Sequence, residues 1–233
     1  MGLSSDFMGV LHRLANGFMR LTMINIIWFF MNLPIFIIVL SALQHDYFMG
    51  SLLYSLPVLL FFPLLLFPST IAMYATVRDW LMKREQASFI NTYFIYFKDN
   101  YKQSFLAGIV WAMIWFIWLL DILYFYEQSV LLNMLFIIGG LCLFVMNINF
   151  FSVFTHYHMK FMGYFKNAFF VTMGSPLLCL SILIIYFILI TSLFEFWFLL
   201  PFFLGTVSAL LSFYMFYRFV LKVQQKAVEN KNV

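Results

Sequence analysis

A chain of 233 residues that is 65% hydrophobic, 22% aromatic and only 9% charged cannot clothe a water-soluble surface, because soluble domains carry about 25% charged residues. Its net charge of +4 calls for no nucleic-acid partner, since basic loops beside anionic lipid account for it. The length suits one domain, and no stretch between the apolar runs is long enough to bury a core of its own.

Asp6, Arg13 and Arg20 precede the first apolar run. That run is too long for a signal-peptide core and no small-residue cleavage site follows it, so it reads as a retained span. Six spans are predicted, at residues 21–43, 52–77, 105–122, 130–154, 174–194 and 196–217. A helical span needs about 20 residues at about 1.5 Å rise each. The apolar cores of the third and fifth are short, and their flanks (Tyr124 and Phe125; Phe169 and Phe170) extend them into the headgroup layer. No core, the third of which runs from Phe105 to Leu120, contains Asp, Glu, Lys or Arg, and the runs are too long and too uniform for barrel strands. The expected fold is all-α and polytopic, a single transmembrane domain over residues 1–233.

Orientation follows from the connections. Arg13 and Arg20 precede span one; Arg78, Lys83, Arg84, Lys98 and Lys102 lie between spans two and three. Lys160 and Lys166 lie between four and five, and Arg218, Lys222, Lys226 and Lys231 follow span six. All 13 basic residues thus fall on one side, while the opposite loops hold Asp46, Asp121, Glu127 and Glu195. The positive-inside rule makes the basic side, and both termini, cytoplasmic in a cell membrane.

The largest polar segment, residues 78–104, carries Phe89, Tyr93, Phe94, Phe97 and Tyr101 at three- and four-residue steps, with Asn91, Lys98, Asp99 and Lys102 between them. That spacing predicts an amphipathic helix lying in the interface. Phe7, Met8, Leu11, Leu14 and Phe18 form a similar stripe before span one, and Phe161, Tyr164, Phe165 and Phe169 another before span five. The chain therefore reads as three helical hairpins, each preceded by a cytoplasmic interfacial helix; a Phe-rich chain offers such stripes in any loop.

Polar residues inside the spans are the candidate site. Asn25 and Asn32, seven apart, share one face of span one. Span two holds Pro57, Pro63 and Pro68, which should bend or break it, and Ser69 and Thr70 are placed to bond the carbonyls so freed. Asn147 and Asn149 sit in span four. Such amides act either as glue between helices or, with platforms such as Trp28 and Trp111, as a cavity for a sugar; span two is either a kinked packing helix or a broken one lining a substrate path. Arg78, Asp79 and Trp80 read as interface anchors or, with Phe94, Phe97 and Lys98, as a docking surface for a partner.

Other features carry less. His156 and His158, two apart on a helix, point away from each other and make no metal site. Cys142 and Cys179 lie in apolar runs as small hydrophobes rather than as a disulfide. Gly205/Ala209 and Ser208/Ser212 give small-x-x-x-small spacing, whose partner helix is left open. No ionisable group sits at membrane depth, no phosphate-binding loop is present, and no nucleophile–base pair lies in a span. The chain is expected to be neither an enzyme nor a holder of a cofactor.

Three stretches then stand out in order. They are Asn25-Ile-Ile-Trp-Phe-Phe-Met-Asn-Leu-Pro34, Phe67-Pro-Ser-Thr-Ile-Ala-Met-Tyr-Ala-Thr-Val-Arg-Asp-Trp80 and Tyr93-Phe-Ile-Tyr-Phe-Lys-Asp-Asn-Tyr-Lys-Gln-Ser104. Over roughly the first 110 residues the chain resembles the YesL-like family of bacterial multi-pass membrane proteins. It departs from that pattern in a longer interval from Pro34 to Phe67 and in Ser69 where Ala is usual. The resemblance implies an accessory or permease-like protein of a Gram-positive bacterium, found alongside oligosaccharide uptake systems. Sugar ABC-transporter components or a second copy are the implied partners, besides the lipid bilayer. The alternatives are a membrane scaffold or regulator that transports nothing, and a stand-alone facilitator. The topology has a direct check: tags at residues 45 and 90 are expected to be reached by an impermeant reagent from opposite faces of the cell membrane, and labelling of both from the outer face overturns it.

Overall fold

Proline decides where the apolar runs bend. The structure is a computed structural model describing residues 2–43, 57–84, 88–125, 130–196 and 198–230. All regular structure among these is helical: α1 (Gly2–Met31), α2 (Leu33–Leu43), α3 (Pro57–Leu81), α4 (Phe89–Phe125), α5 (Val130–His156), α6 (Phe161–Gly174), α7 (Pro176–Glu195) and α8 (Leu200–Glu229). Five of these helices are long and apolar enough to cross a membrane, and α1 with α2, bent by 63°, brings the number to six if the pair is one span. The loops with Asp46 and Glu127, the terminal Lys231, and the side chains of Phe7, Met8, Leu11 and Leu14 lie outside the described residues.

The bends differ from expectation. Span one breaks at Asn32, because Pro34 has no N–H and its ring crowds the preceding turn. The Ile35 and Phe36 amides restart the helix, both donating to the Asn32 carbonyl at 3.0 and 3.2 Å. Span two does not break. Pro57 opens the helix, Pro63 sits in one widened π turn, Phe62–Leu66, and Pro68 follows that turn, all within a continuous helix. Pro68 offers no N–H to the Leu64 carbonyl four residues back, and the Tyr101 hydroxyl donates to it instead, at 3.3 Å. A second π turn, Leu200–Leu204, opens α8 around Pro201.

The segment expected as a flat helix at Phe89–Tyr101 is helical, and it continues into span three with no proline or interior break to stop it. At 37 residues, α4 is about 55 Å long, well beyond the roughly 30 Å hydrocarbon layer. Only before span five is the leading helix separate. There Pro176 forces its predecessor Ser175 out of the helical region, to φ −143° and ψ 79°.

Helix α3 is the post around which the rest stands. Every residue from Phe67 to Asp79 is buried, under α1, α4, α5 and α8. Its C-terminus closes in a Schellman turn: Lys83 adopts φ 55°, and the Lys83 and Arg84 amides donate back to Trp80 and Asp79. Rings fill the α3–α5 seam, with Phe67 and Phe151 centroids 4.8 Å apart and Phe150 4.8 Å from Phe165 of α6. Large apolar side chains face outward instead, among them Val130, Leu131, Leu177 and Phe187. Such a belt is stable against hydrocarbon and not against water, so the chain is built as a membrane protein.

Close approach of α4 to α3 depends on Gly108. A Cβ there would lie 2.7 Å from the Pro63 Cα, a backbone atom that cannot yield, whereas a Cβ on Gly139 would meet nothing within 4 Å. Gly108→Ala is expected to cost about 1–3 kcal/mol, and Gly139→Ala to be neutral or stabilising by up to about 1 kcal/mol, as read by unfolding in detergent micelles.

Candidate functional site

The predicted polar residues gather in the bundle at four places. On the α1–α3 seam, Asn32 Nδ2 donates to Ser69 Oγ at 2.8 Å and to the Trp28 carbonyl at 2.7 Å. Trp28 Nε1 donates to Thr70 Oγ1 at 3.0 Å, and the Tyr93 hydroxyl donates to the Ser69 carbonyl at 3.1 Å. Ser69 does bond a nearby carbonyl, that of Leu66 at 3.1 Å. Thr70 is the acceptor for Trp28 (not a donor to a freed carbonyl), and Tyr101 takes the Leu64 carbonyl that Pro68 frees.

On the α1–α8 seam one side chain repairs the widened turn. Asn25 Nδ2 donates to the Leu200 carbonyl at 2.9 Å, and Asn25 Oδ1 accepts from the Thr206 amide at 2.9 Å. Gly205 is the close-approach residue here, since a Cβ would stand 2.9 Å from Asn25 Oδ1 and 3.0 Å from the Trp28 ring. The small residues of α8 therefore find their partners within the chain: Ser212 Oγ is 2.8 Å from the Tyr74 hydroxyl of α3, and Ala209 is fully buried.

On the α5–α6 seam, Asn149 Nδ2 donates to Thr172 Oγ1 at 2.9 Å. The amide oxygens of Asn147 and Asn149 and the Trp111 Nε1 are buried without a hydrogen-bond partner among the described residues.

The fourth place is the basic end, where α3, α4 and α5 meet. Arg78 pairs with its neighbour Asp79, Nη2 to Oδ1 at 2.6 Å and Nε to Oδ1 at 2.8 Å. Adjacent helix residues point apart, so the pair forms because the guanidinium folds back on its own helix. Arg78 Nη1 donates to the Thr155 carbonyl, in the last turn of α5, where carbonyls lack helical partners and a cation is favoured. The Tyr96 hydroxyl of α4 donates to Asp79 Oδ2 and accepts from Arg78 Nη2 at 3.1 Å. Arg84 adds an outer contact to Asp79 at 3.5 Å, its own side chain 57% exposed. The arrangement holds three helix ends in register and presents no nucleophile. Beside it, the Arg20 guanidinium of α1 lies 4.1 Å over the Phe89 ring.

That geometry corrects the expected docking surface. Arg78 and Asp79 are buried and bonded to each other, so they do not face a partner. Trp80 is half-buried, its ring 3.3 Å from the place a Gly17 Cβ would take. Phe97 is half-buried against the core. Phe94 and Lys98 do face outward, along with Ile95.

Residues 21–122 match one family model, described as a protein of unknown function, DUF624. The match spans 102 of 233 residues and encloses all three stretches that carry the resemblance. It includes Asn25, Asn32, Ser69, Thr70, Arg78, Asp79, Tyr93 and Tyr96. No curated protein and no solved structure matches the chain.

Several bonding partners escaped the sequence reading. Tyr93 and Tyr101 counted there as apolar ring positions and Tyr96 was given no role; their hydroxyls were the missed signal. Thr155, Thr172 and Thr206 carry no local signal, because their partners lie on other helices. His156 packs its ring 5.8 Å from Phe216 and His158 is exposed; Cys142 and Cys179 are free thiols.

Breaking the Arg78–Asp79 pair from one side strands a buried charge. Asp79→Asn and Arg78→Gln are each expected to cost about 3–5 kcal/mol, while Arg84→Gln on the exposed side costs under about 0.5 kcal/mol. Thermal unfolding of the three variants in detergent checks the order.

Proposed function

We propose that this chain is a non-catalytic accessory component of an oligosaccharide uptake system in a bacterial cell membrane, with both termini in the cytoplasm. It serves as a helical scaffold that holds a partner rather than a path for solute. The observation that carries the reading is the state of α3: all its residues from Phe67 to Asp79 are buried, and Ser69, Thr70, Tyr74, Arg78 and Asp79 bond to α1, α4, α5 and α8. A post so committed suits a rigid frame better than a moving gate, because each bond would have to be remade for the helix to shift. The link to carbohydrate uptake is supported by the resemblance of the first 110 residues to YesL-like proteins. The outward Phe94, Ile95 and Lys98 on α4 are the surface offered to transporter components.

A stand-alone facilitator is the competing reading, and the unpartnered Asn147 and Asn149 oxygens favour it locally. Deleting the gene is expected to lower uptake of plant-derived oligosaccharides, and purified chain in liposomes is expected to pass none of them. Unchanged uptake in the deletion strain removes the transport link. Sugar flux through the liposomes gives the competing reading the advantage.

A further inference from the structure

Toward the end of the bundle away from Arg78, a groove of about 560 Å³ runs between α4 and α5 and is closed at its deep end by Phe169 and Met173 of α6. Two adjacent glycines shape it in opposite ways. Gly140 of α5 makes room for the Trp118 ring of α4, with which a Cβ would collide, and Trp118 Nε1 donates to the Phe136 carbonyl at 2.9 Å. That ring is thereby locked as a wall of the groove. Gly139 leaves the trough open, since a Cβ there would meet nothing within 4 Å. From Phe136 to Met146 the groove follows α5 for ten residue steps, about 15 Å at about 1.5 Å each. That is half of the roughly 30 Å hydrocarbon layer, the depth of one leaflet. Asp121 of α4 lines the shallow end. Neither ion pair among the described residues involves it, and the segments that join the spans at this end, residues 44–51 and 126–129, contain no Lys or Arg. A cation for Asp121 therefore comes from outside the chain.

We propose that this groove holds one phospholipid whose headgroup ends in a primary ammonium, as in phosphatidylethanolamine. The ammonium donates to the Asp121 carboxylate, and an acyl chain lies along Gly139 and Cys142 as far as Met173. Three features choose that occupant. The groove opens onto a helix surface that presents Leu120, Ile138 and Leu141 outward, which suits an acyl chain and not a soluble cation. Its length fits one leaflet, whereas a helix from a second copy would span both. Its one charge repels an anionic headgroup, and a trimethylated ammonium has no N–H to donate to it. The site stands apart from the proposed role in sugar uptake and survives its failure.

The test releases the full chain from nanodiscs of equal phosphatidylethanolamine, phosphatidylcholine and phosphatidylglycerol and counts the retained lipids by native mass spectrometry. The parent chain is expected to keep phosphatidylethanolamine about two- to fivefold over either of the others, the range that one exposed ion pair supplies. Asp121→Asn removes the charge at nearly constant shape and is expected to lose that preference. Gly139→Leu fills the trough and is expected to lose the lipid itself while keeping the parent's unfolding midpoint in detergent. Glu195→Gln removes an exposed acid outside the groove and is expected to keep the preference. Equal retention of the three lipids by the parent overturns the proposal, as does a preference unchanged in Asp121→Asn or a lipid still retained by folded Gly139→Leu. Loss of the preference in Glu195→Gln means diffuse charge and overturns it, and a lipid-free dimer gives the groove to a second copy and overturns it too. If Gly139→Leu lowers the midpoint, Asp121→Asn decides alone.

Discussion

A backbone carbonyl or amide left unpaired in hydrocarbon costs several kcal/mol, and this chain interrupts its own helices at membrane depth in three places. Two of these interruptions are answered by a polar side chain from another helix. Tyr101 of α4 supplies the donor that Pro68 lacks, and Asn25 of α1 serves an acceptor and a donor at the π turn of α8; beside the Pro34 break Asn32 only adds a second donor to the Trp28 carbonyl, which already accepts the Asn32 amide at 3.1 Å. Part of the bundle's interior polarity therefore answers its prolines, while the Arg78–Thr155 and Tyr74–Ser212 contacts join helices with no proline involved. Removing one of these side chains exposes backbone as well as losing a contact, so the seams are coupled to helix shape.

The repairs converge on α3 because its sequence is unlike that of its neighbours. Ser69, Thr70, Ala72, Ala75 and Thr76 are small, which lets four helices approach its axis, and its hydroxyls and carbonyls meet donors as they do. Trp28, Asn32, Tyr93 and Ser212 reach it along its length, and Arg78 ties its far end to α4 and α5. A buried ion pair adds little net stability over an apolar substitute. Its effect here is geometric, since a guanidinium that bonds Asp79, Tyr96 and Thr155 together fits one arrangement of three helix ends.

Hydropathy made the spans readable, since about 20 apolar residues in a row have few other fates, and Asn25 and Asn32 were readable as one face from their spacing alone. The location of the break was not. Pro57, Pro63 and Pro68 argued for a bend or a break in span two, yet the single Pro34 breaks span one, because packing on every side carries α3 through a widened turn while the α1–α2 junction turns at Asn32. Arg78 and Asp79 looked like ordinary anchors, because nothing near them in sequence reveals a carbonyl 77 residues away. Local pattern reports which residues are polar. It does not report which of them meet.

Helix α8 shows how one element serves both the interior and the boundary. Its first half places Gly205, Thr206, Ala209 and Ser212 against α1 and α3, where small size and short hydroxyls decide the fit. Its last turns leave the bundle and become basic, with Arg218, Lys222 and Lys226 exposed. A helix is stiff over this length, so whatever fixes the basic half also limits the tilt of the half that Asn25 clamps. The clamp tolerates little tilt, since Gly205 is already within contact distance of Asn25 and Trp28. The position of α8 is thus set by hydrogen-bond geometry at its Asn25 end.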